Sequence, residues 1–291
     1  LLEKHRWLVF VLPFAVYMVV GAAEPKRPIP KAQPPDERVE RPAMAIPPPP
    51  TPAPPKEPLA EPETEEEAGG QSAAELDIPP PGSSSLIPYE YYPLIYTIKI
   101  ALTLLAVWFV LPGYRVFPLR VSPLAVLVGV AGIIVWIGIC ELGLEQKWLV
   151  PLGLKSLVGM GERVGFNPYQ AFAGQAAWQL WGFLAVRLFG MVAVVALVEE
   201  FFVRGFVMRY VVQVDWWEVS VGKLSVAAVV ACTLYAVLSH PAELFAAAAW
   251  FLLVTLLAVK TRNIWDCVVA HATTNLLLAV YVLVLQVWKY W

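Results

Sequence analysis

Val198-Glu199-Glu200-Phe201-Phe202-Val203-Arg204-Gly205 sets two adjacent carboxylates and a guanidinium inside apolar sequence. Leu188 to Leu197 upstream carries no charge, and Phe206-Val207-Met208 continues the apolar run downstream. A charged side chain at membrane depth costs about 2.5–3.5 kcal/mol on insertion scales, so it persists where it is paired, faces water or does chemistry. Glu200 and Arg204 are four apart, share a helix face and stand in the favourable acid-before-base order. Glu199 points about 100° away and has no local counter-charge. The run predicts a helix buried in a membrane bundle, with Glu199 as the acid that needs a reason.

The whole chain agrees with that class. Its 291 residues are 58% hydrophobic with a mean hydropathy of +0.62, the range of membrane proteins. The net charge of -2 is a sum of opposites: residues 24–90 hold 13 acidic and 6 basic side chains, and the rest is mildly basic, as suits loops that meet anionic lipid. No basic stripe or recognition motif points to nucleic acid. Cys140, Cys232 and Cys267 are isolated in apolar segments and read as small hydrophobes, neither a disulfide framework nor a metal cluster.

Hydropathy divides the chain into spans. Trp7 to Ala23 follows Lys4-His5-Arg6 and is read as an uncleaved anchor, with a signal peptide as the competing reading. Residues 24–88 hold 19 of the 27 prolines and predict a disordered, partly polyproline II linker whose partner is unknown. Spans follow at Tyr92 to Leu111, closed by Pro112-Gly113, and at Pro123 to Leu142. Residues 143–168 read as an interfacial loop. Tyr169 to Val212 is helical over about 66 Å, twice a hydrocarbon core, which predicts a break before Leu188. Leu224 to His240, Pro241 to Val259 and Trp265 to Trp288 complete an all-α, polytopic transmembrane helix bundle of seven or eight spans. Glu243 is expected at an exposed interface, and Arg187 is expected to snorkel toward lipid phosphate.

The polar residues of the C-terminal third carry the chemistry. His240 ends one apolar span, and His271 and Asn275 are four apart on one face of the last. Intramembrane polar groups face the bundle interior and pair with one another, so Glu199, His240, His271 and Asn275 are expected to converge. A carboxylate can take a proton from water, an imidazole can pass one to a leaving amine, and a second imidazole with a carboxamide can donate to an oxyanion. That is equipment for peptide hydrolysis without a side-chain nucleophile. Ser239 precedes His240, but helix neighbours diverge, which argues against a Ser-His pair. Individually, each group also has a structural reading, as a satisfied polar contact between helices.

Glu199-Glu200-x-x-x-Arg204, a helix ending in His240 and His271-x-x-x-Asn275 resemble the three motifs of the CAAX prenyl protease 2 and bacteriocin-processing family of glutamate intramembrane endopeptidases. Ser239-His-Pro-Ala-Glu243, Lys260-Thr-Arg-Asn-Ile-Trp265 and Leu12-Pro-Phe-Ala-Val-Tyr17 resemble its exosortase-associated branch. The resemblance implies that residues 89–291 form the protease domain after the 1–23 anchor and the 24–88 linker. Glu199 and His240 would activate water, His271 and Asn275 would form the oxyanion site, and Glu200 with Arg204 would hold the geometry. It further implies no cofactor and no metal, a membrane-anchored protein substrate, and a multi-pass protein of a bacterial plasma membrane. One position departs: the family has Phe four residues before the histidine, and here Ala236 stands there beside Tyr235. A zinc protease using Glu199, His240 and His271, an inactive scaffold or immunity-type protein, and a proton-relaying transporter are the competing readings.

Overall fold

A computed structural model of the protein describes residues 4–25, 87–154 and 165–291. These residues build eight helices and, among them, no strand. In chain order they are α1 (Leu8–Gly21), α2 (Tyr92–Tyr114), α3 (Pro123–Leu142), the short α4 (Pro168–Ala171), α5 (Ala177–Val212), α6 (Val226–Ser239), α7 (Leu244–Thr261) and α8 (Ile264–Leu285). Helices α2, α3, α5, α7 and α8 are long and apolar enough to cross a membrane. α1 and α6 are apolar but have 14 residues each, about 21 Å, short of a hydrocarbon core of about 30 Å. The outer faces stay apolar: Trp108 is 70% exposed, Ile134 67% and Val284 72%, a surface that fits lipid better than water. The expected linker, apart from its ends, lies outside the described residues.

Local chemistry sets the helix ends. α3 starts on Pro123 at its first position and stops at Gly143 in the left-handed region, φ 59°, the usual arrangement of proline at a start and glycine past an end. Ser225 Oγ accepts Ala228 N–H at 3.1 Å to cap α6, and Asn263 Oδ1 accepts Trp265 N–H at 3.1 Å to cap α8. The buried Asp266 receives Ser122 N–H at 2.7 Å and Ser122 Oγ–H at 3.0 Å, which ties the start of α3 to the start of α8.

Small residues then bring the helices together, as bilayer packing requires. α3 lies against α8 and α7. A Cβ on Gly129 would stand 2.5 Å from the Thr273 side chain, and one on Gly132 would stand 2.6 Å from Thr274 Oγ1. α1 packs on α2 and on α5. Its Phe10 ring meets Phe117, Phe201 and Trp216, and its Phe14 ring stacks on Phe202 at 4.0 Å. Arg209, near the end of α5, donates to the carbonyls of Val219 at 2.7 Å, Gly205 at 3.0 Å and Trp217 at 3.1 Å. Three backbone acceptors thereby stand in for a carboxylate and hold the loop before α6.

Four expectations need correction. Pro112-Gly113 does not close α2, which runs on to Tyr114; a proline near the last turn loses little, because the missing N–H affects one hydrogen bond only. The break in the segment 169–212 falls at residues 172–176, between α4 and α5, and α5 then runs unbroken through Leu188. Its hydrogen-bond ladder widens instead to π-helical pitch at Gly190–Val195 and at Phe201–Val207. Glu243 is 7% exposed, since it occupies the turn into α7, packed inside the bundle. Arg187 is 8% exposed and packed among aromatic rings, not extended toward lipid phosphate.

Candidate active site

The two glutamates occupy the single α-helical stretch of α5, Ala196–Glu200, that separates the two π segments. Such widened turns inside α-helices concentrate at functional sites. Glu200 and Arg204 are fully buried, and Glu199 is 7% exposed. Glu200 Oε1 accepts from Arg204 Nη1 at 3.0 Å and lies 3.0 Å from His271 Nδ1. Arg204 also donates from Nη2 to the Phe251 carbonyl at 3.0 Å and rests 4.7 Å above the Phe251 ring. Burying this pair is costly unless its hydrogen bonds are met; α7 and α8 supply part of them, while Glu200 Oε2 and Arg204 Nε are buried with no hydrogen-bond partner among the described residues.

Glu199 is held by other groups. Tyr235 on α6 donates its hydroxyl to Glu199 Oε1 at 2.9 Å, and His271 Nε2 stands 3.8 Å from Glu199 Oε2. His271 thus sits between the two carboxylates, one on each ring nitrogen. Trp250 packs edge-on against the His271 ring at 4.6 Å and donates Nε1–H to Thr274 Oγ1 at 3.1 Å.

His240 is the residue that closes α6, with φ −129° and ψ 63°. Leaving helical geometry turns its ring back, so Nδ1 lies 3.2 Å from the Ala236 carbonyl and 2.9 Å from Ser239 Oγ. The neighbours do meet, against the sequence expectation, because His240 is already outside the helix. A carbonyl only accepts, so Nδ1 carries the proton, and Nε2 is the basic nitrogen of the neutral ring. Ser239 Oγ–H is directed to the Tyr235 carbonyl at 2.8 Å, which makes Ser239 a support for the imidazole. Trp136 meets the His240 ring at 5.4 Å and Phe251 at 6.1 Å. The aromatic surroundings therefore come from α3 and α7 where Ala236 leaves space on α6.

Asn275 donates from Nδ2 to the Met191 carbonyl at 2.8 Å, inside the first π segment. The carboxamide has two N–H donors, so one bond anchors it and one remains for a ligand. Glu199, His240, His271 and Asn275 all line one cavity of about 410 Å³, whereas Glu200 and Arg204 stand behind its wall. Among the described residues no group of three or more His, Cys, Asp or Glu side chains is arranged to hold a metal ion. Sequence reasoning missed Tyr235 as a partner of Glu199 and Phe251 as the platform beneath Arg204. The signal for Tyr235 was a phenol on an apolar helix, where a buried hydroxyl needs a partner.

Residues 180–277, about a third of the chain, match the family model described as type II CAAX prenyl endopeptidase Rce1-like. The matched segment contains both glutamates, Arg204, both cavity histidines and Asn275. With the apolar helices, this similarity supports an intramembrane CAAX-type protease. No curated protein and no solved structure matches the chain.

Proposed function

We propose that this protein is an intramembrane endopeptidase that hydrolyses a membrane-associated protein substrate with a water activated by Glu199 and His240. The observation that carries the reading is that Glu199, His240, His271 and Asn275, drawn from three helices, line one cavity while Tyr235 and His271 hold Glu199 in place. Glu199 takes a proton from water as the water oxygen bonds to the scissile carbonyl carbon. His240, fixed through Nδ1, orients that water with Nε2, takes the proton on from Glu199 and delivers it from Nε2 to the leaving nitrogen as the C–N bond breaks, which returns both groups to their starting states. Asn275 N–H and the His271 ring donate to the tetrahedral oxyanion. Glu200 and Arg204 fix the position of His271 and of the helix. The resemblance of the flanking segments to the exosortase-associated branch suggests a bacterial plasma membrane and a surface-sorting setting.

Comparison of membrane-protein termini in cells carrying the unsubstituted chain and Glu199→Gln tests this directly. New termini that vanish in Glu199→Gln identify the substrate. Asn275→Ala should slow cleavage of it by about 10²–10³-fold, the usual loss for one oxyanion donor. Unchanged termini in both variants would reject the endopeptidase. Purified protein whose activity falls with a chelator and returns with zinc would replace the water-activating glutamate with a metal.

A further inference from the structure

The chain itself stops one end of the cavity. From the acid pair the cavity runs toward the end of the bundle where α1 stops, α2 starts and α8 stops, and its lining there includes Glu24, Tyr92, Tyr290 and Trp291. Helices that cross a membrane bring such an end to the aqueous interface. α8 finishes where Gln286 enters the left-handed region, with φ 55° and ψ 33°, and Trp288–Tyr290 follow as a single 3-10 turn. Aromatic residues at an interface ordinarily face the headgroups, and Trp148, just past the end of α3, is 64% exposed. Tyr290 and Trp291 are 8% exposed each and turn inward to the cavity.

Three neighbours hold this segment. Tyr290 donates its hydroxyl to Glu141 Oε1, near the end of α3, at 2.7 Å, and Lys289 Nζ lies 3.2 Å from the same oxygen. The Trp288 ring meets Tyr169 of α4 at 5.7 Å, and the Trp288 carbonyl lies so close to Gly165 that no Cβ fits there. The two bonds to Glu141 are unequal. The Lys289 and Glu141 side chains are each 55% exposed, and an exposed ion pair contributes little. The phenol bond is charge-assisted and its donor is buried, so it is the stronger tie.

The seat is incomplete. Trp291 Nε1 is buried with no acceptor among the described residues, a cost that water removes once the ring swings out. Gln286 holds a backbone conformation that glycine adopts more readily. Both features suit a segment that leaves its place better than a permanent wall.

We propose that residues 286–291 are a lid over the aqueous end of the cavity, hinged at Gln286 and latched by the Tyr290–Glu141 bond. Shut, the lid keeps peptide and bulk water from Glu199 and His240, as lids of other enzymes do. Opening breaks one charge-assisted hydrogen bond and one exposed ion pair, and it frees the mouth that Tyr290 and Trp291 fill. The lid holds whatever the cavity does; its effect on cleavage rests on the endopeptidase reading.

Access to the cavity tests the lid without any substrate. Val195 lines the cavity one turn before Glu199. The full chain carrying Val195→Cys, in nanodiscs, is alkylated with a membrane-impermeant maleimide, and the rate at that thiol is read by mass spectrometry. Cys267, 0% exposed, reports loosening of the whole bundle in the same sample. Tyr290→Phe and Glu141→Ala should each speed alkylation about tenfold, the weight of one such hydrogen bond, with Cys267 unchanged. Lys289→Met should stay within about twofold of the parent. Equal rates in the parent and both latch variants overturn the lid. A rise matched at Cys267 overturns it too, as does absence of labelling in every variant. Faster alkylation in a chain that cleaves nothing keeps the lid and removes the endopeptidase; cleavage with alkylation indifferent to the latch does the reverse.

Discussion

Tyr235 on α6 donates its hydroxyl to Glu199 Oε1 on α5 across 2.9 Å. This bond fixes one carboxylate oxygen and leaves the second, 3.8 Å from His271 Nε2, as the face on which water can be worked. Tyr235→Phe keeps the ring contacts with Phe14, Phe202 and Phe251 and removes only the donor. A hydrogen bond to a charged group is worth about 1.5–3 kcal/mol, so turnover should fall about 10–100-fold. Single-turnover cleavage in nanodiscs measures it, with the melting temperature as the control for folding.

In the proposed mechanism Ser239 supports His240 and is not the nucleophile. Its hydroxyl proton goes to the Tyr235 carbonyl and its oxygen meets His240 Nδ1. In Ser239→Ala the imidazole keeps the Ala236 carbonyl, and the expected loss is about tenfold or less, the weight of one neutral hydrogen bond. A serine nucleophile would lose about 10⁶. Labelling of the unsubstituted protein by a fluorophosphonate, abolished in Ser239→Ala, would contradict this assignment.

Arg204 is the main electrostatic anchor of the site, fully buried on Glu200 and the Phe251 carbonyl. Removing one member of a buried ion pair costs about 3–5 kcal/mol because the other is left uncompensated. Arg204→Met should therefore unfold at markedly lower denaturant than Glu199→Gln. The double change with Glu200→Leu should cost less than the two single changes added together. Additive losses in unfolding titrations would show that the pair is not coupled.

The approach of α3 to α8 and α7 depends on a missing side chain at Gly132, where a Cβ would stand 2.6 Å from Thr274 Oγ1 and 2.8 Å from Trp250 Nε1. Gly132→Val should cost about 1–3 kcal/mol or more from overpacking, displacing Trp250 from His271 and depressing activity together with stability. Gly138 is the matched control, since nothing lies within 4 Å of a Cβ built there. Gly138→Val should leave thermal stability of the purified protein close to that of the unsubstituted chain, and equal effects at both glycines would refute the packing account.

The bundle was legible where signals are local. Pro123 and Gly143 bracket α3 by backbone geometry alone, and hydropathy located the other spans to within a few residues, except the start of α5 at Ala177. Glu199, Glu200, His240, His271 and Asn275 stood out because polar groups in apolar helices are rare. The π segments of α5 left no mark in the 3.6-residue period. The burial of Arg187 depends on Tyr92 and Tyr96 from a helix far off in sequence, and the turn of His240 toward Ser239 depends on a backbone angle at the helix end. Such features are fixed by tertiary partners, which a single sequence does not pair.

The bond between Glu200 on α5 and His271 on α8 spans 71 positions of sequence, and this separation has a consequence for biogenesis. A chain emerges from the ribosome N-terminal end first, so α5 enters the bilayer before α8 has been made. During that interval Glu200 has Arg204 as its partner within the same helix, while Glu199 has neither the imidazole nor the opposing amide. On the proposed endopeptidase reading, a centre assembled this late would stay silent toward neighbouring nascent chains at the insertion site and gain its chemistry only when the helix bearing His271 and Asn275 docks.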